Sequence, residues 1–313
     1  MSGILSFIKN KKLFKKSYKE YIRINFSFYK YFYINNPLLL KNKIEEYFYK
    51  LNVFGRIYIS KEGINAQGSI LKKFFYKMKY FIYQLNEHLN NVFINVGIDN
   101  TRQSFLTLKI KLKKKIVSDG LQNEYCTQKY KKKYLNAYAV NKYLKNDKTI
   151  FLDIRNYYEY KIGHFDKAIS TYTLTFRDQL KEIFNYIKLY KKKKIVLYCT
   201  GGIRCEKADF IIRQKGYKNV YQIYGGIIGY INECKQKKIP IMFLGKNFVF
   251  DLRLQESISK NILSTCDQCF KKSDYYVNCM YTKCNLLFIQ CISCSKKYKS
   301  FCSKLCFKKY HKI

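Results

Sequence analysis

The twelve cysteines of this 313-residue chain fall into chemically different settings. One stretch, Lys194-Ile195-Val196-Leu197-Tyr198-Cys199-Thr200-Gly201-Gly202-Ile203-Arg204-Cys205-Glu206-Lys207-Ala208, runs an apolar strand into Cys199, then a Gly-Gly loop, then Cys205 at the opening of a helix. Such a loop turns the backbone N–H groups of Thr200, Gly201, Gly202 and Ile203 inward around the first sulfur, and the positive end of the helix points to the same place. Both effects favour thiolate over thiol, so Cys199 is expected to be a low-pKa nucleophile. Gly201 and Gly202 allow the tight turn and the close backbone approach. The plain alternative is a strand–turn–helix around a buried, inert thiol.

A second set of eight crowds the C-terminal end. Cys266-x2-Cys269, Cys279-x4-Cys284, Cys291-x2-Cys294 and Cys302-x3-Cys306 are four pairs at metal-ligand spacing. Two tetrahedral Zn2+ sites would use all eight, and zinc would hold together a stretch too short and polar for a core of its own. Unligated thiols are the other reading, and spacing leaves open whether the pairs combine consecutively or interleaved. Lysines and aromatics between them, such as Lys271, Lys272, Tyr275 and Tyr276, suit a surface that grips RNA by phosphate contact and base stacking.

The elements that must position these groups follow from patterning. Residues 1–23 form a lysine-rich arm expected to be poorly ordered. From 24 to 112, a strand at Ile24–Ile34, a helix opened by Pro37, a hairpin joined at Lys61-Glu62-Gly63, a helix near Leu71–Leu85 and strand runs near Val92–Val96 and Phe105–Ile110 approximate β-α-β-β-α-β. The last two runs are expected to share one sheet edge, giving a ferredoxin-like (acylphosphatase-like) α+β domain. Residues 113–136 read as a basic linker. From 137 to 240, strands and helices alternate with short loops, which predicts an α/β domain with a parallel sheet covered on both faces. Cys199 falls at the carboxyl end of one of its strands, where such sheets bind ligands. The cysteine-rich tail occupies 241–313.

The net charge is +40, and of the 61 basic residues eight are arginine and the rest lysine. Codon drift explains abundant lysine, tyrosine and phenylalanine, but explains less well why acidic residues stay at 21. A polyanionic partner is therefore favoured. No apolar run approaches a membrane span and no signal peptide is evident, so a cytoplasmic protein without membrane contact is expected. Twelve cysteines in that compartment argue for metal or thiol chemistry over disulfides. No dinucleotide fingerprint or haem-attachment motif occurs, so no organic cofactor is implied. His164-Phe165-Asp166 supplies two thirds of a non-haem iron triad, but His88 and His311 both lie in other domains.

Residues 149–238 resemble a rhodanese domain: Asp153-Ile154-Arg155 after a strand, Gly163-His164-Phe165 in the next turn, the six-residue loop Cys199–Arg204, and Gly225-Gly226 before the last helix. Only four residues separate Cys199 from Arg204, whereas cysteine phosphatases use a roomier loop with five. A sulfur atom on Cys199 fits better than a phosphate. The whole chain from about Phe26 to Cys306 is similar to the bacterial oxygen-dependent tRNA uridine hydroxylases, through Ser27-Phe28-Tyr29-Lys30-Tyr31-Phe32, Glu62-Gly63-Ile64-Asn65-Ala66-Gln67, Arg155-Asn156-Tyr157-Tyr158-Glu159-Tyr160, the loop string from Cys199 to Ala208, and Gly245-Lys246-Asn247-Phe248-Val249-Phe250-Asp251.

That resemblance implies hydroxylation of the wobble uridine (position 34) of tRNA to 5-hydroxyuridine, with O2 as substrate and the anticodon region as the bound part. It implies Cys199 as the residue that carries a persulfide, with Arg204 contributing a positive field or anchoring the loop. A sulfur or electron donor protein would be a further partner. Rhodanese-type sulfur transfer and a non-catalytic zinc-dependent RNA-binding module are the alternative functions. Asp153 and Arg155 read as a structural pair, and Cys205 as a resolving thiol or a buried helix-start cysteine. Asn65 and Gln67 in the hairpin would reach a nucleotide or stabilise the turn.

Overall fold

The computed structural model describes residues 22–121 and 131–311, so most of the expected N-terminal arm lies outside the described residues. Two compact units divide the chain, Met1–Ile116 and Val117–Ile313.

The first unit contains β1 (Arg23–Tyr31), α1 (Pro37–Lys50), β2 (Phe54–Ser60), β3 (Gly63–Leu71), α2 (Phe75–Leu85), β4 (Asn95–Val96) and β5 (Leu108–Leu112). Asn36 starts α1 by accepting from the Leu39 amide at 3.0 Å, with Pro37 in the first turn. Leu40, Ile44 and Phe48 recur every four residues and face the sheet together with Met78 and Ile82 of α2. Phe26 and Phe28, Ile57 and Ile59, Ile64 and Ala66 answer from alternate strand positions. The sheet order is β4-β1-β3-β2-β5, with β5 parallel to β2 and the other pairs antiparallel. The two late strands thus lie on opposite edges, not on one. Pairing β5 with β2 buries Leu108 and Ile110 in the core. The short β4 is instead tethered to β1 by the Gly97 amide on the Asn25 carbonyl at 2.7 Å.

The second unit contains β6 (Tyr134–Leu135), α3 (Ala137–Leu144), β7 (Thr149–Asp153), α4 (Tyr157–Ile162), β8 (Gly163–Phe165), β9 (Ile169–Ser170), α5 (Phe176–Leu189), β10 (Lys194–Tyr198), α6 (Ile203–Gln214), β11 (Val220–Ile223) and α7 (Gly226–Lys237). These are followed by β12 (Phe243–Phe248), β13 (Gln255–Ser257), β14 (Tyr276–Asn278), β15 (Leu287–Ile289), α8 (Ile292–Tyr298) and α9 (Lys304–His311). An all-parallel sheet runs β6-β11-β10-β7-β9. The crossover helices form two pairs in contact, α3 with α7 and α5 with α6, as expected for a parallel sheet covered on both faces. The chain leaves β7 toward one edge and β10 toward the other. Their carboxyl ends therefore flank a topological switch point, the usual crevice for a ligand in such sheets.

Two segments take parts that local pattern does not show. Within the stretch read as a linker, Tyr134 and Leu135 pair with β11 as an edge strand and Asp119 pairs with Lys207; residues 122–130 lie outside the described residues. Gly163-His164-Phe165, read as a turn, is a strand antiparallel to β12, which carries the C-terminal segment onto the central domain and sets Phe243 edge-to-face against Phe165 at 5.3 Å. Among the described residues, no helix is long and apolar enough to cross a membrane.

Candidate active site and metal centres

Cys199 follows β10 at the switch point, level with Ile154 after β7. Its loop is held from two sides. Gly202, at φ +101°, caps α6 and aims its N–H at Cys199 Sγ, 3.1 Å away. From below, the first turn of α7 binds the loop carbonyls: the Ile227 amide donates to Cys199 O at 2.9 Å and the Ile228 amide to Thr200 O at 3.1 Å. Gly226 makes this approach feasible, because a Cβ there would stand 2.5 Å from Cys199 O at a φ of +65°.

Burial alone would raise the Cys199 pKa. It is outweighed by the hydrogen bond from the Cys205 thiol, the Arg204 charge and the amides of Cys205 and Gly202, which bring it down from 9.0 to about 6. Burial pushes the Cys205 thiol well up, and so does its hydrogen bond to Cys199, which keeps Cys205 protonated as the donor of that pair. The anion is therefore ready at neutral pH. It is not on display: Cys199 is 1% exposed, while Thr200, Gly201 and Ile203 remain partly accessible above it.

Arg204 points into a buried bidentate pair. Its Nη1 donates to Glu159 Oε1 at 2.6 Å and its Nη2 to Glu159 Oε2 at 2.9 Å, and the guanidinium lies 5.8 Å over the Phe250 ring. Glu159 also accepts from the Asn156 amide at 3.0 Å, closing a capping box on α4, and from Thr200 Oγ1 at 3.3 Å. One fully buried carboxylate thus ties the start of α4 to both ends of the cysteine loop. Beneath it, Arg155 grips both oxygens of Asp153 and the Gly163 carbonyl, fixing β7 to β8.

The eight C-terminal cysteines form two sets, Cys266, Cys269, Cys291 and Cys294, and Cys279, Cys284, Cys302 and Cys306, each with its four sulfurs within 4.8 Å of one another. The pairing is interleaved, and the β14–β15 hairpin explains why. Tyr276 faces Ile289 at the open end and Asn278 faces Leu287 at the turn. The turn carries Cys279 and Cys284, and the open end is followed by Cys291 and Cys294, so ligands next to each other in sequence go to opposite ends of the hairpin. Sulfur separations of 3.6 Å for Cys269–Cys291, 3.7 Å for Cys284–Cys302 and 3.5 Å for Cys302–Cys306 exclude disulfides. They match the roughly 3.8 Å edge of a tetrahedron with Zn–S bonds of about 2.3 Å. The donor chemistry and geometry of both sets fit a tetrahedral metal ion. Cys291 caps α8 and accepts from the Cys294 amide, as a ligand at a metal knuckle does.

Three stretches match known families: residues 23–116 the UPF0176 acylphosphatase like domain, 136–233 the rhodanese-like domain, and 244–307 the rhodanase C-terminal family. The relatives include a protein of Buchnera aphidicola subsp. Schizaphis graminum, 48% identical over 98% of this chain and 98% of its own, named tRNA uridine(34) hydroxylase. The chain belongs to the tRNA uridine(34) hydroxylase family. Proteins of the same name from Buchnera aphidicola subsp. Acyrthosiphon pisum (strain Tuc7) and Photorhabdus laumondii are 46% and 43% identical, over 99% and 91% of this chain and 96% and 81% of theirs.

In this family member, the loop brings Cys199 and Arg204 together, and of the four amides expected from sequence that of Gly202 meets the sulfur, joined by the amide and thiol of Cys205. His164 stands outside any metal set. Its Nδ1 meets Tyr160 O at 2.9 Å and its ring stacks on Tyr160 at 3.9 Å. Among the described residues, the two cysteine sets are the clusters able to close around a metal. Glu159 escaped sequence reasoning. The available signal was Asn156 three residues before it, the capping-box spacing at a helix start.

Proposed function

We infer that this chain is an enzyme that hydroxylates the wobble uridine (position 34) of tRNA, forming 5-hydroxyuridine at the base, with tRNA bound through its anticodon region. Full-length similarity to hydroxylases of that name supports the activity. The observation that carries a chemical role for this site is the Gly202 amide 3.1 Å from the Cys199 sulfur, which together with the Cys205 and Arg204 groups lowers its pKa to about 6 and favours the thiolate. Exchanging C5–H for C5–OH removes two electrons from the base. With O2 as the oxygen source, a two-electron donor is also consumed and water released. The residues described do three things for such a reaction. The loop amides and Arg204 stabilise negative charge on Cys199, whether as thiolate or as the terminal sulfur of a persulfide. Glu159 fixes the loop. The rim of the parallel sheet limits water at the sulfur.

Zinc is the ion we assign to the two cysteine sets, on their all-sulfur donors and tetrahedral edges, with a structural role and no part in the oxidation. A tRNA substrate supports a cytoplasmic setting, which we assign to the protein.

The test is complementation of a deletion strain with the wild-type gene or with Cys199→Ser, followed by mass spectrometry of tRNA nucleosides. The wild type restores 5-hydroxyuridine and Cys199→Ser does not; normal modification with the variant overturns the role of Cys199. Sulfur transfer from thiosulfate to cyanide by a protein that leaves tRNA hydroxylation unchanged would favour the sulfurtransferase reading instead.

A further inference from the structure

The first unit's sheet has one face covered by α1 and α2, and a second face on which the described residues of the unit place no helix. Register defines that second face. Ser27, Gln67, Arg56 and Lys109 lie side by side in one row across β1, β3, β2 and β5, and Tyr29, Asn65, Tyr58 and Lys111 form the next. Each residue alternates with a core residue of its own strand.

Among the described residues, loop contacts close the two ends of this face and leave the side chains in its middle exposed or partly exposed. At one end, Asn25 is held by the Asp99 carbonyl and by Asn100 Oδ1. At the other, Asn65 Nδ2 donates to the Ile116 carbonyl at 3.1 Å and the Ile116 amide to Glu62. Between them Arg56, Lys109 and Lys111 are exposed, Tyr58 and Gln67 are partly exposed, and Lys113 Nζ stands 5.8 Å over the Tyr58 ring.

Charge identifies the occupant. No aspartate or glutamate occurs in any of the five strands. Among the described residues, no carboxylate pairs with Arg56, Lys109 or Lys111. Neighbouring like charges, such as Arg56 beside Lys109, weaken a sheet unless a counter-charge arrives. A polyanion with flat rings suits the strip, because phosphates would meet the three cations and a base would stack on Tyr58. A lipid surface suits it less, since no aliphatic side chain projects from these two rows.

We propose that the strip of Arg56, Lys109 and Lys111, with Tyr58 and Gln67 between them, is an RNA-binding face that holds unpaired nucleotides of the tRNA substrate. This rests on the tRNA-modifying function inferred above, and it assigns one surface to the nucleic acid.

The experiment uses the full chain. The triple variant Arg56→Gln/Lys109→Gln/Lys111→Gln is compared with Lys188→Gln/Lys191→Gln/Lys192→Gln, which removes the same charge from the exposed end of α5 and the turn after it. Binding of an anticodon stem-loop RNA is measured by fluorescence anisotropy from 50 to 300 mM salt, and circular dichroism with thermal unfolding of the full chain reports that the fold is intact. The expected result is a loss of tenfold or more in affinity for the face variant. Its slope of log K against log salt falls by about 2, since each phosphate contact to a single strand contributes about 0.7. The α5 control keeps the wild-type slope. Equal losses in both variants would overturn the proposal, leaving net charge as the cause. So would unchanged RNA affinity in a face variant that has lost binding to phosphatidylserine vesicles. A face variant with weakened RNA binding, in a protein whose wild type leaves tRNA unhydroxylated, would uphold the face and refute the hydroxylase reading.

Discussion

Replacing Arg204 by glutamine separates the two things its guanidinium does. It neutralises Glu159, whose side chain is fully buried while that of Arg204 is 9% exposed, and it helps hold the Cys199 anion. Removing one member of a buried pair leaves an uncompensated charge, a loss of about 3–5 kcal/mol. That is a large part of the roughly 5–15 kcal/mol that holds a domain folded. The remaining donors to Glu159, the Asn156 amide and Thr200 Oγ1, do not carry a full positive charge. The second effect is on the thiol. With a pKa of about 6, about nine-tenths of Cys199 is thiolate at pH 7. Without Arg204 the midpoint moves up toward the ordinary 9.0, and the thiolate fraction at pH 7 falls. Urea denaturation at pH 7 reads the first effect. The pH profile of iodoacetamide labelling of the Cys199 peptide, followed by mass spectrometry, reads the second. The double variant Glu159→Met/Arg204→Met recovers most of the stability, because no charge is left unpaired, but keeps the raised midpoint. A single variant as stable as the wild type, or a double variant with the wild-type labelling midpoint, would refute the reasoning.

Two other outcomes follow from the same geometry. Because the Cys199 pKa is depressed on folding, the native state sheds a proton that the unfolded chain keeps between about pH 6 and 9.0. Wild-type stability relative to Cys199→Ser therefore rises by about 1.4 kcal/mol per pH unit across that window and is lost as pH falls through about 6, as denaturation at several pH values will show. For the metal centres, elemental analysis of purified protein should find two ions per chain. Cys266→Ala/Cys294→Ala should keep one of them, and Cys266→Ala/Cys279→Ala should lose both; the opposite pattern would mean consecutive pairing.

Much of this site could be read from the sequence because its chemistry is local. Cys199, the two glycines and Arg204 occupy six consecutive residues, and their roles follow from a strand–loop–helix that any parallel sheet would orient in the same way. The strands of the central domain were equally legible, being short apolar runs between turn residues. What stayed hidden depends on partners distant in sequence. Gly163-His164-Phe165 is too short to declare itself a strand, and it becomes one because β12 pairs with it some eighty residues later. The edges taken by β4 and β5 depend on which neighbour each can reach, a matter of loop tethers such as Gly97 on Asn25. Glu159 looks like an ordinary helix-start acid until Arg204 arrives from another helix. The burial of Cys199 is the feature that the plain alternative carried, while the lowered pKa follows from the strand–loop–helix setting; period and spacing could not decide how far the loop covers the sulfur.

The crossed arrangement of the cysteine pairs also governs how the C-terminal segment responds to damage. Each cysteine set straddles the stretch between Cys284 and Cys291, one with members at 266 and 269 before it and 291 and 294 after it, the other at 279 and 284 before and 302 and 306 after, so a metal ion in each would bind both sides of a cut there. A protease that nicks the chain in that stretch leaves both fragments clasped twice over, and they should migrate as one particle until a chelator is added. Side-by-side centres would have let the last twenty-odd residues drift away at the first cut.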